Sequence, residues 1–282
     1  MIEQPILVLG GTGKTGRRVA SLLRAQGTPV RAASRTAEHP FDWTDRGTWD
    51  KALEGARAVF IVPFDGEALT RPFVERAVRH GVERVVLLSG RGLDDPSYVG
   101  EEAELVEPHI DGERAVRALT GTAWTIVRPG WFAQNFSEGF LREAVLAGEL
   151  RLPAGDGAAS FVDAEDIAAV AVAALTGDGH AGRIYELSGP RALTIAEAVA
   201  EISAATGRAV RYVPLAPEEF VAELVGEGWP EADARGMATA VAAIRNGLDA
   251  HLSDGVRRAL GREPRDFTEF AKAAAAAGAW NG

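Results

Sequence analysis

The stretch that decides the fold runs Ile6-Leu7-Val8-Leu9-Gly10-Gly11-Thr12-Gly13-Lys14-Thr15-Gly16. Its first four residues form an apolar run of strand length, and a glycine-rich turn follows directly. A segment with helical spacing of apolar residues comes next, until Gly27 ends it and Val30 opens a second apolar run. The order is therefore strand, glycine turn, helix and strand, which is the opening unit of a parallel α/β sheet.

The glycines of this turn have a physical role in dinucleotide binding. A pyrophosphate can sit on the free amides of a helix N-terminus only if the preceding backbone comes very close to it. A Cβ at Gly11 or Gly13 would block that approach, and Gly16 would let the helix pack tightly on the first strand. The turn therefore predicts a dinucleotide site, whose residues here are Gly10, Gly11, Thr12, Gly13, Lys14, Thr15 and Gly16.

A mononucleotide P-loop is the alternative that Lys14-Thr15 suggests. That motif needs another glycine five positions before Gly13, and Val8 stands there, inside the strand. The P-loop interpretation therefore fails.

The end of the second strand distinguishes between the two dinucleotides. NAD-binding proteins usually place an acid there, roughly twenty residues after the turn, to bind the ribose 2′-hydroxyl. This chain has Ser34-Arg35, with Arg31 earlier on the strand and no acid before Glu38. A guanidinium and a hydroxyl suit a 2′-phosphate, so Ser34 and Arg35 predict NADP(H) in preference to NAD(H). The alternative is a solvated arginine at a strand end.

The segment after the second strand is unusually aromatic and acidic. In dinucleotide-binding folds it lies beside the adenine, where Asp42 could accept a hydrogen bond from the exocyclic amine and Trp43 could wall the ring. A tryptophan that caps the edge of the core is the equal alternative for Trp43.

Two further apolar runs, residues 58–62 and 85–88, complete the pattern of a Rossmann-type, doubly wound parallel sheet covered by helices on both faces. Ligands of such sheets bind outside the carboxyl ends of the strands. We therefore expect Pro63, Ser89 and Gly90 to contact the cofactor, and Phe64 to lie on the substrate side of the same crevice.

Composition limits the possible partners. The formal net charge of −10 argues against a nucleic-acid surface. The chain has no cysteine, which excludes disulfides and thiolate chemistry, and no pattern of metal ligands stands out. No leader precedes the first strand and no apolar run approaches the roughly 18 residues of a membrane span. These features predict a soluble cytoplasmic protein that acts on a small molecule; they say nothing of its oligomeric state.

Several motifs resemble those of the NmrA-like branch of the atypical short-chain dehydrogenases. They are the glycine turn, Ser89-Gly90, His109-Ile110-Asp111-Gly112-Glu113, residues 124–136 with Arg128-Pro129-Gly130-Trp131-Phe132, residues 161–168, and Leu187-Ser188-Gly189-Pro190. Within that branch the chain is most similar to bacterial relatives of the festuclavine and agroclavine dehydrogenases, which reduce an iminium with NADPH. The resemblance implies an NADPH-dependent oxidoreductase, but the family also holds quinone and azo reductases and redox-sensing proteins that bind NADP.

The chain departs from the wider superfamily by lacking its Tyr-x-x-x-Lys dyad. Four positions after Tyr98, Tyr185 and Tyr212 stand Glu102, Gly189 and Ala216. Ketone reduction needs a proton donor, whereas an iminium accepts hydride without one and a quinone can take its proton from water. If an acid is needed, the resemblance favours His109, because the family's helix faces the nicotinamide there; a structural histidine is the alternative.

The second half of the chain changes in pattern. We expect residues 1–150 to form the NADP(H)-binding domain, with a strand possible again near 184–187, and residues 151–282 to form a smaller, mostly helical substrate lobe. Trp131 and Phe132 are predicted to wall an aromatic substrate pocket, or else to fix the lobe interface. Asp163 and Asp166 are predicted to cap an alanine-rich helix rather than to form a carboxylate pair.

Two classes of function are consistent with these features. One is an NADPH-dependent reductase of a small cyclic or aromatic acceptor, an imine, iminium or quinone. The other is a non-catalytic NADP(H)-binding regulator that senses the redox state of the cofactor. The missing dyad favours the second slightly, and the aromatic wall and full-sized C-terminal lobe favour the first.

Overall fold

The first strand is buried throughout, and its side chains point alternately to the two faces of the sheet. The computed structural model describes residues 4–99 and 103–281. In β1 (Ile6–Leu9), Ile6 and Val8 pack into a core on one face of the sheet, while Leu7 and Leu9 pack into a second core on the opposite face. A strand that is apolar on both sides must be covered twice, so helices lie on both faces.

The central sheet has seven parallel strands in the order β3-β2-β1-β4-β5-β6-β9. This is the predicted doubly wound Rossmann-type sheet. The other six strands are β2 (Val30–Ser34), β3 (His39–Pro40), β4 (Ala58–Ile61), β5 (Arg84–Leu88), β6 (Ala123–Pro129) and β9 (Arg183–Leu187).

The helices around this sheet form two layers. One core contains α1 (Lys14–Ala25), α8 (Ala164–Thr176) and α12 (Gly255–Leu260). The other contains α2 (Trp49–Leu53) and α3 (Thr70–Arg79), with α5 (Ala103–Arg117) packed on α3. A short helix, α4 (Pro96–Val99), precedes α5.

A third hydrophobic core, built from residues 133–161 and 193–280, forms the lobe. Its helices are α6 (Asn135–Glu138), α7 (Arg142–Ala147), α9 (Ile195–Thr206), α10 (Pro217–Gly226), α11 (Glu231–Arg245) and α13 (Phe267–Ala276). Two small ladders join them: β7 (Glu149–Leu152) with β11 (Arg211–Pro214), and β8 (Ala158–Ala159) with β10 (Leu193–Thr194). The lobe is mostly helical as expected, but the sequence analysis missed these ladders and α11.

The chain after residue 150 also returns to the central sheet. β9 pairs with β6, as the possible strand near 184–187 anticipated, and α8 packs against α1. Asp163 caps α8 as predicted, by accepting a hydrogen bond from the amide of Glu165 at 2.9 Å. The capping prediction for Asp166 is wrong, because its buried carboxylate instead accepts from Arg262 Nη2 at 2.6 Å and from the Arg265 amide at 2.6 Å. The division into domains at residue 150 stays a prediction.

Asp266 fastens α13 to the loop before α9. Its carboxylate caps α13 through the Thr268 amide and accepts two hydrogen bonds from Arg191, at 2.7 and 2.8 Å, which hold its pKa well below the ordinary value. We expect Asp266→Asn to lower the free energy of unfolding by about 1 kcal/mol at neutral pH. Because the folded pKa is depressed, this loss should shrink as pH falls below about 4.

Urea denaturation at neutral and acidic pH measures this effect. Asp178→Asn, a change of the same charge at a fully exposed carboxylate, is the matched control and should leave the free energy of unfolding unchanged. A loss for Asp266→Asn that is equally large below pH ~3 would contradict the assignment.

Candidate functional site

The N-terminus of α1 offers unpaired amides at the carboxyl edge of the sheet. Its N-cap, Gly13, supplies no side-chain cap, and the first turn contains no acidic residue. The first amides of a helix have no partner within the helix, so those of Lys14, Thr15 and Gly16 are open to an anion. The turn before them is tight, because Gly10 adopts a φ of +63° that disfavours other residues.

The four glycines of the turn serve different contacts. A Cβ on Gly16 would overlap the Gly10 carbonyl, lying 2.7 Å from its carbon, so this glycine lets α1 pack against the end of β1 as predicted. A Cβ on Gly11 would lie 2.9 Å from the Cβ of Ala32, which corrects our reason for it: the backbone that comes close there is β2. A Cβ on Gly13 would meet only the Gly10 oxygen, at 3.2 Å. This contact is tight but is not an overlap, so Gly13 has the least obstructed Cβ position of the three; Gly13 and the adjacent Thr12 are both exposed.

The end of β2 presents the residues expected to contact the ribose. Ser34 Oγ is buried and has no hydrogen-bond partner among the described residues. The adjacent Arg35 is exposed, whereas the Arg31 guanidinium donates to the carbonyls of Ala52 and Glu54, both at 2.7 Å. An orphaned hydroxyl beside an exposed guanidinium suits the phosphorylated ribose of NADP(H), with Arg35 and not Arg31 as the cation.

The segment predicted to lie by the adenine is held by its own turn and by the core. Asp42 Oδ1 accepts from both the amide and the hydroxyl of Thr44 at 2.9 Å, and these bonds lower the pKa of Asp42. Trp43 packs edge-on against Phe41 and Phe73, with ring centroids 5.1 and 5.2 Å away. For Trp43 the structure therefore favours the core-capping alternative; the contact of Asp42 with adenine stays a prediction.

His109, on α5, contacts the loop that follows β4. Its Nε2 is 2.9 Å from Asp65 Oδ1, in the loop that follows β4, while its Nδ1 is buried without a partner among the described residues. Pro63 and Phe64 belong to the same loop and are half-buried. Neither His109 nor Phe64 lines the cavity of about 420 Å³ at this edge of the sheet. A catalytic role for His109 and a substrate contact for Phe64 therefore stay predictions.

A buried cluster of polar side chains joins the ends of β5 and β6. Glu113 accepts from Ser89 Oγ at 2.6 Å and from two nitrogens of Arg128, at 2.8 and 2.5 Å. Arg128 also pairs with Asp94 at 3.0 Å, and the two carboxylates hold its pKa above the ordinary value. Arg128 is thus a structural partner for carboxylates, and Glu113, which it holds in place, fixes Ser89 at the crevice.

A cavity of about 420 Å³ opens beside this edge, between the sheet and the lobe. Gly90, Trp131 and Phe132 contribute to it from the carboxyl edge, and α11 closes the opposite side. The lining also includes Arg91, Gly92, Leu93, Tyr98, Val106, Pro129, Gly130, Asn135, Phe140, Gly236, Met237, Thr239, Ala240, Ala243 and Asp249. The lining is mainly apolar and aromatic, which suits a flat ring.

Lys14 lies between the glycine turn and this cavity. Its Nζ donates to Asn135 Oδ1 at 2.9 Å and lies 5.9 Å from the centroid of the Phe132 ring. Burial lowers the pKa of this lysine. The Lys14 ammonium is thereby held between the amides at the start of α1, where an anion would bind, and the cavity, where a second ligand would bind.

Asp249 was missed by the sequence analysis. It lies on a single 3-10 turn, Leu248–Ala250, is 4% exposed, and accepts a hydrogen bond from Trp131 Nε1 at 3.1 Å. Burial raises the pKa of its carboxyl. No local pattern marks this residue, because the contact joins positions 118 residues apart.

Within the described parts of the chain, no group of three or more histidine, aspartate or glutamate side chains is arranged to hold a metal ion. No helix there is both long and apolar enough to cross a bilayer.

Comparisons with known proteins agree with this geometry. A family model described as NAD(P)H-binding matches residues 10–178. The chain is 36% identical to an NAD(P)H azoreductase from Xenophilus azovorans, covering 96% of this chain and 98% of that protein. It is 30% identical to an agroclavine dehydrogenase from Claviceps fusiformis, over 94% and 95% of the two chains. An NADPH-dependent quinone oxidoreductase from Escherichia coli superposes with a TM-score of 0.73 and 25% identity, covering 95% of this chain and 98% of that one.

Proposed function

This chain belongs to the NmrA-like family of NAD(P)H-binding reductases, and from that premise we propose that it reduces a small cyclic or aromatic acceptor, an iminium or a quinone, with NADPH. The observation that carries the proposal is the cavity of about 420 Å³, walled by Trp131 and Phe132 and lined also by Gly90, a residue of the predicted cofactor site. A protein that only senses the cofactor has less need of such a cavity.

The residues at the carboxyl edge fit NADPH. The amides at the start of α1 would hold the pyrophosphate, and Ser34 and Arg35 would hold the 2′-phosphate. NADPH, when bound, supplies a hydride, that is, two electrons and a proton, from its dihydronicotinamide carbon. The contribution of this chain is to orient the ring of the acceptor against that carbon and to keep water from the cavity.

The chemistry suits a site without the Tyr-x-x-x-Lys dyad. When hydride adds to the carbon of a C=N⁺ group, the π electrons become the lone pair of a neutral amine, and no proton is needed. A quinone takes the hydride and also one proton to give the hydroquinone. That proton would come from water or from His109, which lies on α5 within hydrogen-bond distance of Asp65.

The test is NADPH oxidation, followed by nicotinamide absorbance, against a panel of cyclic iminium ions, quinones and azo dyes. We expect turnover of at least one planar acceptor. Tight NADPH binding with no acceptor consumed across the panel would contradict the reductase proposal and would favour the redox-sensing regulator.

Substitution of His109 separates the two acceptor chemistries. We expect His109→Gln to leave kcat for an iminium within about twofold, since the iminium needs no proton. For a quinone, a loss of about tenfold in kcat identifies His109 as the proton donor, and an unchanged kcat identifies water. His80→Gln is the matched control, because His80, the residue that follows the last residue of α3, likewise lies 2.9 Å from an aspartate. An equal loss with both acceptors would show that His109 acts through the structure.

A further inference from the structure

Asp249 lies in the cavity wall on the side of the lobe. Its turn is anchored by hydrogen bonds from the Ser160 amide (2.9 Å) and hydroxyl (3.2 Å) to the Asp249 backbone carbonyl. The side chain accepts one hydrogen bond through Oδ2, from Trp131 Nε1 at 3.1 Å. The carboxylate is therefore fixed in place against the ring that forms the aromatic wall.

The cations near Asp249 are committed to other groups. Arg91 Nε lies 2.7 Å from Glu186 Oε1, and Arg91 Nη1 donates to Ser160 Oγ at 3.0 Å. His251 Nε2 lies 2.6 Å from the same Glu186 oxygen. Asp249 forms no ion pair with any residue that the structure describes, so its charge is balanced only at a distance.

A buried carboxylate with a single neutral hydrogen bond is costly to ionise. Burial accordingly raises the pKa of Asp249. A ligand that carries a positive charge into the cavity would compensate the carboxylate, whereas a neutral ring of the same shape would not. Only a cationic ligand therefore gains binding free energy from the Asp249 carboxylate.

We propose that Asp249 makes the cavity selective for a cationic planar acceptor, with the positive nitrogen of the ring placed beside the Asp249 carboxylate and the ring against Trp131. The inference rests on the proposed function and narrows its acceptors from iminium or quinone to the iminium class. Because hydride addition removes the positive charge of the C=N⁺ group, the ion pair with Asp249 is lost in the product. Asp249 therefore acts in substrate binding and product release, and its effect belongs in KM more than in kcat.

Binding of two probes of the same shape tests the proposal without turnover. N-methylquinolinium is cationic and 1-methylnaphthalene is neutral, and each is titrated by tryptophan fluorescence at about pH 8, where carboxylates are ionised. Saturation of the protein with NADP⁺, which carries no hydride to transfer, prevents reduction. We expect the wild-type protein to bind the cation more tightly, and Asp249→Asn to weaken the cation about tenfold and the neutral probe less than twofold.

Asparagine keeps the hydrogen-bond acceptor for Trp131, and unchanged naphthalene binding reports that the cavity is intact. Asp178→Asn, which removes the same charge at an exposed site far along the chain, should leave both affinities unchanged. Equal affinity of the wild-type protein for the two probes, or equal weakening of both by Asp249→Asn, would overturn the proposal. If the cation binds selectively but nothing on the acceptor panel is reduced, the proposed function fails and the role of Asp249 stands.

Discussion

Replacing Arg35 with glutamate is expected to weaken NADPH binding about 100-fold and to change NADH binding less than threefold. Arg35 is exposed at the end of β2, next to the unpartnered hydroxyl of Ser34. A charge-assisted hydrogen bond to a phosphate contributes about 1.5–3 kcal/mol, and a carboxylate at the same place repels the phosphate in addition. NADH carries no 2′-phosphate, so it neither loses this contact nor meets the repulsion.

Isothermal titration calorimetry with NADPH and with NADH measures the two affinities and requires no knowledge of the acceptor. Arg24→Glu changes the net charge equally, but Arg24 is exposed in the last turn of α1, at the end of the helix opposite to the glycine turn. This control should leave both affinities unchanged. If Arg35→Glu weakened NADPH and NADH alike, the assignment of Arg35 to the 2′-phosphate would be wrong.

Gly13→Ala and Gly16→Ala are expected to affect different properties: the first NADPH affinity, the second stability. At Gly16 the new Cβ would overlap the backbone of Gly10. Neither α1 nor the end of β1 can move away to relieve this overlap, because both are packed in the core. We expect Gly16→Ala to lower the free energy of unfolding by about 3 kcal/mol. At Gly13 the backbone is extended, and the Cβ would meet only the Gly10 oxygen at 3.2 Å, a contact that a small shift relieves. Gly13→Ala should fold normally and lose NADPH affinity at least about tenfold, because the Cβ would occupy the place of the pyrophosphate.

Urea denaturation and cofactor titration of both variants distinguish the two effects. Gly226→Ala is the matched control, since Gly226 ends α10 with no atom within 4 Å of an added Cβ and no strained φ. It should alter neither quantity by much. If a well-folded Gly13→Ala protein bound NADPH with normal affinity, the assignment of the pyrophosphate to this turn would be wrong.

Some features followed from local pattern alone. The run Ile6–Leu9, the glycine turn and the next apolar run predicted β1, α1 and β2, because strand and helix spacing and the backbone needs of glycine are local properties. The absence of the Tyr-x-x-x-Lys dyad can be read from the sequence alone, because no tyrosine is followed four positions later by a lysine.

Other features had no local signal. The short strands β7, β8, β10 and β11 hold two or four residues each, and they exist only because distant segments pair. The alanine-rich α11 lacks a strong apolar stripe, yet it closes the cavity. The Glu113 carboxylate, which fixes Ser89 and Arg128, could be quoted as part of a motif but not placed at the strand ends.

The sequence by itself was enough to predict the parallel sheet, the dinucleotide turn, NADP(H) as the cofactor and the family, since each prediction depends on residue type at short spacing. Only the tertiary structure decided what surrounds the acceptor. It paired Arg31 with backbone carbonyls, left His109 out of the cavity lining and brought Asp249 against Trp131 across 118 positions. These contacts depend on how the lobe packs on the sheet edge, and the free energy of that packing is spread over a core of residues from 133 to 280.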